Sequence, residues 1–565
     1  MSNHLRNEIS PYLQTHSTQP VEWYPWGEEA LTLATTQNKS IFLSIGHGSS
    51  SWCDIMSKES FQNENIVELL NERFIAIKVD KEEHPEIAKY YKKVYSLMNR
   101  SVGAYPLSIF MTQNLEPFYA SSYISIQAQQ EQLGFEELLR VISKKYITDY
   151  DTLVKKGDEV LQYINPKEQK IEATRVHIDI LNTIISHTDN LIDKQEGGFG
   201  EVAKFPNSST LELLLDTYQL KKEPSILNAT LNSLNAMAKK NLYDDENGGF
   251  YNYCKDVKWL DPYKVKTTYD NALLIQLYLR AYQLSNNSFY KEVALKTLDF
   301  MLNTMGESKL FFSKIDETKG EITVDITVIT SWNAMMVSAL FKASSVDEKY
   351  QKIAIDTLET LLEKTYINHK LYHHTSLKVE AFLEDYAYLG EALIEAYQAT
   401  LDESYLIMAT QFSNTIIEQF YEHGKWKFSN GEVKIEEDSY DSDYPSSLST
   451  AISLLMSVSS LVDGNYKKFV FKTLELNSYN LMRQPLSSPK LASVLLRYLK
   501  DDIIIKSNEN LLKKHITQRS SMDYPYVLFK TTLDENILLC NSSSCFAQAS
   551  NFDTLKTLIE SHIKP

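Results

Sequence analysis

From about Val176 to Lys500 the chain is written as helix after helix with short connections, and this constrains its fold more than any other feature. Apolar residues at helical spacing predict helices over 177–194, 209–220, 224–241, 269–285, 289–304, 331–345, 349–365, 384–400, 403–421, 446–462, 465–482 and 488–500. They form six pairs with a period of roughly 50 residues, longer than most solenoid repeats. One amphipathic hairpin cannot bury its own apolar face. Six can close into a double ring, an (α/α)6 barrel, with an open superhelix as the alternative. Gly197-Gly198-Phe199 recurs as Gly248-Gly249-Phe250, each followed by polar and aromatic residues and then an apolar helix.

In such hairpins alternate helices run parallel, so their N-termini collect at one end. That end would gather Pro206–Ser208, Tyr269-Asp270-Asn271, Ser331-Trp332-Asn333, Glu384-Asp385-Tyr386 and Asp443-Tyr444-Pro445-Ser446, with the Gly-Gly-Phe loops beside them. The result is a concave, aromatic, acidic floor of the kind that binds sugars. Glycoside chemistry needs two carboxylates, one with a raised pKa, and Asp270, Glu384 and Asp385 are the candidates. Tyr269, Asn271, Trp332, Asn333, Tyr386 and Asp443 are the candidate ligand contacts. Any single acid at a helix start also reads as a cap, and any single aromatic as core. What favours a site is their recurrence at one end. Asp270, Trp332, Asn333, Glu384 and Asp385 are expected to line one pocket.

The first 150 residues differ. Glu28–Gln37 reads as helix, Ser40–Ile45 as buried strand, Ser51–Ser57 as a helix start and Glu64–Glu72 as helix. Phe74–Val79 is a second strand, Pro85–Met98 a helix, Leu107–Met111 and Pro117–Tyr123 an antiparallel pair, and Gln129–Lys145 a closing helix. This order is thioredoxin-like. Pro106 stands where that fold carries a cis-proline, and Trp23–Trp26 read as an anchor on the sheet. The segment after Ile45, where such a fold places Cys-x-x-Cys, has Ser50 first and Cys53 last. The first position is the attacking one, because the helix N-terminus favours a thiolate there. Serine forms no disulfide, so dithiol activity is not expected. Cys53 reads as a buried core cysteine, with a reactive monothiol as the alternative.

From Asp502 onward short strands at Ile503–Ile505, Tyr526–Phe529 and Ile537–Leu539 and a helix at Phe552–His562 suggest a small α/β appendage. The chain thus divides into 1–150, 170–500 and 501–565. Cys540 and Cys545 supply two of the four ligands a structural zinc needs, so they read as free thiols, and no metal or cofactor is expected. Four cysteines in 565 residues point to a reducing cytoplasm. A net charge of −17 argues against nucleic acid and anionic membranes as partners. No apolar run approaches a membrane span.

Ser10-Pro11-Tyr12-Leu13, Pro20–Gly27, Trp52-Cys53, Glu59-Ser60-Phe61 and Lys78-Val79-Asp80 follow one another in an order that resembles the spermatogenesis-associated-protein-20-like family, in bacteria often called thioredoxin domain-containing proteins. The likeness continues through Gly197–Gly200, Lys204-Phe205-Pro206, Tyr269–Ala272, Thr330–Asn333, Leu383–Tyr386 and Cys540-x4-Cys545. It implies a thioredoxin-like domain followed by a six-hairpin glycosidase-like barrel, akin to N-acylglucosamine epimerases. Where the family carries Cys-His-Trp-Cys, this chain has Ser50-Ser51-Trp52-Cys53 and then Asp54; Gly-Gly-Trp-Pro is Gly103-Ala104-Tyr105-Pro106. Pro-His-Phe-Glu-Lys is Pro262-Tyr263-Lys264-Val265-Lys266, and Pro-Ser-Gly-Asn is Pro445-Ser446-Ser447-Leu448. Three functions follow: a redox-inactive protein whose barrel binds or processes a carbohydrate-like ligand, as hydrolase or epimerase if it is an enzyme; a monothiol redox protein using Cys53; or a scaffold holding a protein partner.

Overall fold

The computed structural model describes residues 3–129, 132–164, 173–431, 433–462 and 465–563. It divides into two compact units, Met1–Lys170 with Glu432–Ile435, and Ile171–Gly431 with Glu436–Pro565.

The first unit runs α1 (Pro11–His16), β1 (Trp23–Pro25), α2 (Glu28–Gln37), β2 (Ser40–Gly46), α3 (Ser51–Glu59), α4 (Glu64–Arg73), β3 (Phe74–Asp80), α5 (Pro85–Asn99), β4 (Leu107–Met111), β5 (Pro117–Ser121), α6 (Phe135–Thr148) and α7 (Tyr150–Ile164). The sheet order is β1-β3-β2-β4-β5, with β3 parallel to β1 and β2, and β4 antiparallel to β2 and β5. β2 is apolar without alternation because helices cover both its faces. Phe42 packs with Phe61, Phe110 and Phe135, while Ile41, Leu43 and Ile45 join Ile77 and Ile109 on the other side. The thioredoxin-like order is present, including the cis Tyr105–Pro106 bond ahead of β4. The Trp23–Trp26 region is more than an anchor: its residues supply the edge strand β1, too short and proline-ended to announce itself.

The second unit carries α8 (Ile180–Leu191), α9 (Ser208–Lys221), α10 (Pro224–Lys239), α11 (Thr268–Ser285), α12 (Ser288–Phe300), α13 (Thr330–Ala343), α14 (Lys349–Thr365), α15 (Leu383–Thr400), α16 (Glu403–Phe420), α17 (Ser447–Leu461), α18 (Lys467–Arg483) and α19 (Pro489–Lys500). The odd-numbered members from α9 onward form an inner ring, each packed on the next, and α19 returns to α9. That last contact closes the (α/α)6 barrel and removes the superhelix alternative. The inner helices are apolar nearly all round, as helices walled in on every side must be. α13 and α17 show this most fully, the side chains of Thr330–Phe341 all being buried. In α15, Gly390 lets α17 approach so closely that a Cβ there would lie 2.3 Å from Leu454.

The tail builds a four-stranded sheet in the order Val527–Thr531, Ile503–Ser507, Ile537–Cys540, Cys545–Ala549, followed by a helix at Phe552–Ile563. It packs at the C-terminal ends of the inner helices. Gln398 of α15 donates to Phe529 O (2.9 Å) and accepts from Phe529 N (2.8 Å), and Arg519 donates to Glu395 (2.9 Å). The reading of Cys540 and Cys545 as free thiols is corrected here: the two are disulfide-bonded. They are facing partners across a tight hairpin, and the last strand had given no sign of itself in the sequence. Among the described residues no helix is long and apolar enough to cross a membrane.

Candidate functional site

In the first unit, Ser50 caps α3. Its Oγ accepts from Cys53 N (3.3 Å) and donates to Tyr105 O (3.1 Å), immediately before the cis Pro106. Cys53 is 2% exposed and packs with Tyr12 and Leu13, whereas Trp52 is 51% exposed. Behind it lies the buried amine of Lys78, which donates to Ser44 Oγ (3.1 Å) and stands over the rings of Trp23 and Phe61. Burial pushes Lys78 down to about 7, against the opposing influence of Cys53. The attacking position is thus a helix cap, and the remaining sulfur is part of the core.

In the second unit the repeated Gly-Gly-Phe segments turn out to be framework. Asp193 Oδ1 accepts from Gln195 N and Glu196 N (3.0 and 2.9 Å), and Asp244 Oδ1 accepts from Glu246 N and Asn247 N (3.1 and 3.0 Å). Each loop aspartate also holds a buried lysine from the following strand: Lys204 at 3.0 Å and Lys266 at 2.6 Å. Gly197, Gly198, Gly248 and Gly249 have φ between 73° and 85°, a conformation glycine adopts without strain.

Asn271 ties the second of these turns to the start of α11, and Asn333 ties the Leu310–Phe311 segment to the start of α13 in the same way. Asn271 accepts from Phe250 N (2.7 Å) and donates to Phe250 O and Thr267 O; Asn333 does the same with Phe311 N (2.8 Å), Phe311 O and Ile329 O. Both are fully buried, so their amides are spent on backbone rather than offered to a ligand. Asp385 is likewise consumed, accepting from Ser331 N (3.1 Å), Phe382 N (2.9 Å) and His373 Nδ1 (2.9 Å). His373, Glu384 and Asp385 lie close enough to suggest a metal cluster. Both Asp385 oxygens already accept from backbone N–H groups, and Oδ2 also meets His373 Nδ1. Tyr386 packs outward against Phe412 and Phe420.

The remaining predicted residues surround the helix starts. Tyr269 stacks edge-on with Trp332 (centroids 4.8 Å) and lies 5.1 Å from Tyr444, whose hydroxyl donates to Glu384 (3.1 Å). Glu384 therefore sits beneath Tyr444. Asp270 and Asp443 line an open cleft of about 270 Å³, together with Phe205, Ser209, Asn252 and Asp441. The cleft lies toward α9, α11 and α19. Trp332, Asn333, Glu384 and Asp385 are not among its walls; Tyr269 and Tyr444 stand between them and Asp270.

Asp270 is the unusual group. It is 6% exposed, and both its side-chain hydrogen bonds fall on one oxygen: Oδ2 accepts from Thr267 Oγ1 and Asn252 Nδ2, each at 2.7 Å. No such bond falls on Oδ1, and the residue lines the cleft. Burial, with the nearby Asp443 adding to it, raises Asp270 to about 7 against these bonds. Asp441, absent from the sequence-based candidates, is raised by burial to about 6 while accepting from Ser446 N (2.9 Å) and Lys490 N (2.8 Å). The only sequence signal for it was its place two residues before Asp443. Farther along α9, burial would raise Glu212, but Arg280 and Lys342 more than offset it and hold the carboxyl low.

The family model Thioredox_DsbH, described as a protein of unknown function (DUF255), matches residues 2–165. Mouse spermatogenesis-associated protein 20 is 34% identical over 325 residues, 56% of this chain and 41% of that protein. The human protein of the same name is 33% identical over the same shares. Over about half its length the chain is thus similar to spermatogenesis-associated protein 20, and its first 165 residues match the Thioredox_DsbH model. The match spans about two-fifths of the length of these curated relatives. Among solved structures, the cellobiose 2-epimerase from Bacillus thermoamylovorans is 13% identical at a TM-score of 0.46, covering 54% of this chain and 85% of that one. A GH76 α-mannanase from Bacteroides thetaiotaomicron is 13% identical at 0.46, covering 58% and 97%.

Proposed function

We propose that the barrel cleft binds a carbohydrate-like ligand, with Asp270 as the proton-bearing group that meets it. The observation that carries this reading is the carboxyl itself: buried, hydrogen-bonded through one oxygen only, and lining the open cleft. Raised to about 7, it is substantially un-ionised at neutral pH and so can donate as well as accept. A polyhydroxylated ligand offers both functions at each carbon. Phe205 supplies an apolar wall for the C–H face of a sugar ring, and Asn252 and Ser209 supply polar edges. Asp443, exposed across the same cleft, is the second carboxylate for either a hydrolase or an epimerase.

Calorimetry of the full chain against mannose, glucose and N-acetylglucosamine tests the reading. Saturable binding that falls at least tenfold in Asp270→Ala supports it. Binding unchanged by that substitution would put the site elsewhere, and no binding to any sugar would favour the protein-scaffold reading. The monothiol reading finds no comparable support, since Cys53 is buried in the core.

A further inference from the structure

We infer that the ligand is an oligosaccharide, and that its units beyond the cleft run along an aromatic row formed by Phe205, Tyr253 and Tyr263; this rests on the cleft reading above. The cleft, at about 270 Å³, falls below the roughly 300–1,000 Å³ of sites that enclose a drug-sized ligand, so it holds one sugar-sized unit. Anything longer must leave through the mouth, where Phe205 stands 47% exposed.

Phe205 is the inner end of a continuous ladder. Lys204 pairs with Cys254 and Tyr253 pairs with Tyr263, which places the three rings side by side on adjacent extended segments. Phe205 and Tyr253 stack with centroids 4.8 Å apart and planes 14° from parallel; Tyr253 and Tyr263 follow at 5.2 Å and 29°. None of the three is buried. Stacking of rings on a solvent-facing ladder leaves a ridge of aromatic edges and hydroxyls leading away from Asp270, with Lys255 5.8 Å from the Tyr263 ring at the outer end. A sugar chain has matching chemistry: hydroxyls for the phenol and amine groups along the ridge, and apolar C–H patches for the ring edges and the outer faces of the end rings. A monosaccharide would need no such extension.

The test compares mannose, glucose and N-acetylglucosamine with linear trisaccharides of each, by calorimetry on the full chain and on Tyr253→Ala and Tyr263→Ala, with folding checked by thermal melts. The expected result is a trisaccharide at least tenfold tighter than its monosaccharide, the gain being lost in both variants while monosaccharide affinity is unchanged. Equal affinity for the two lengths would overturn the extended site and leave the cleft reading standing. A trisaccharide preference that survives both substitutions would overturn the row as its cause. No binding of either length would overturn both readings together.

Discussion

The starts of α3 and α11 invite comparison, because each carries a titratable side chain in a nearly solvent-free setting, Cys53 in one and Asp270 in the other. At α3, Ser50 Oγ both accepts and donates, and the thiol three residues on is packed against Tyr12. At α11, Asp270 sits at the third helical position, hydrogen-bonded through one oxygen. Burial is similar at Cys53 and Asp270, at 2% and 6%. Burial alone therefore does not distinguish a working group from a packed one. What differs is the setting: Cys53 packs in an apolar cluster with Tyr12 and Leu13, whereas Asp270 lines a cleft and takes its side-chain hydrogen bonds on Oδ2 alone.

The largest expected consequence concerns pH. Asp270 is raised from 3.8 to about 7 in the folded chain, so the native state binds a proton more tightly than the unfolded state. Its stabilising contribution is complete below about pH 4 and is lost as pH rises through about 7. Three pKa units amount to about 4 kcal/mol over that window. Asp270→Asn removes the dependence, and urea unfolding of the barrel should find it about 2–4 kcal/mol more stable than wild type at pH 8. The advantage should shrink toward zero at pH 4. A variant no more stable than wild type at pH 8 would break the comparison on the α11 side.

Next to it, Asn271→Ala sharpens the contrast between neighbours in sequence. It strips an acceptor from the buried Phe250 N–H and two donors from backbone carbonyls. An orphaned buried N–H together with the lost packing should cost about 3 kcal/mol in urea unfolding. Asn333→Ala should behave alike, because Phe311 and Ile329 repeat the arrangement. Little loss in either variant would mean that the loops hold themselves.

These adjacent residues also show what the sequence could reveal. The ring was legible because helical periodicity and hairpin spacing are local signals, and helix starts were placed to within a few residues. Asp270 and Asp443 were legible as acids at those starts. The division of labour was not, because Asp270, Asn271 and Asp385 look alike as polar residues in a first turn. Their roles depend on which groups reach them from elsewhere in the chain: Asn252 for Asp270, Phe250 for Asn271 and Ser331 for Asp385. Asp441 escaped notice because its role comes from bonds to Ser446 and Lys490, the latter 49 positions away. The Cys540–Cys545 pairing was hidden for the same reason, since two residues five apart face each other only once the hairpin forms.

The thiol offers a test by rate. With Cys53 buried, iodoacetamide should modify it at least tenfold more slowly in native protein than in 6 M urea, followed by peptide mass spectrometry. Insulin reduction with a dithiol donor should stay at background. Rapid native labelling, or turnover abolished by Cys53→Ser, would restore the monothiol reading.

The smallest effect is expected at Ser50, and it separates a cap from a catalytic remnant. If the side chain serves only to cap α3, Ser50→Ala should cost about 1 kcal/mol, the usual worth of an N-cap hydroxyl. Ser50→Thr should recover most of it, since threonine places a hydroxyl at the same position. The same helix start should also accept Ser50→Cys, with the new thiol oxidising onto Cys53 under mild conditions, as judged by loss of free thiol and a mass decrease of two hydrogens. The cap lost in that variant would offset part of the gain from the cross-link, so its stability should stay close to wild type while its redox behaviour changes. Failure to oxidise would show that packing around Tyr12 and Tyr105, rather than the serine alone, has closed the site. Ser50→Ala at no cost would mean that the bond to Tyr105 contributes nothing, and the serine would then have no structural claim on the position.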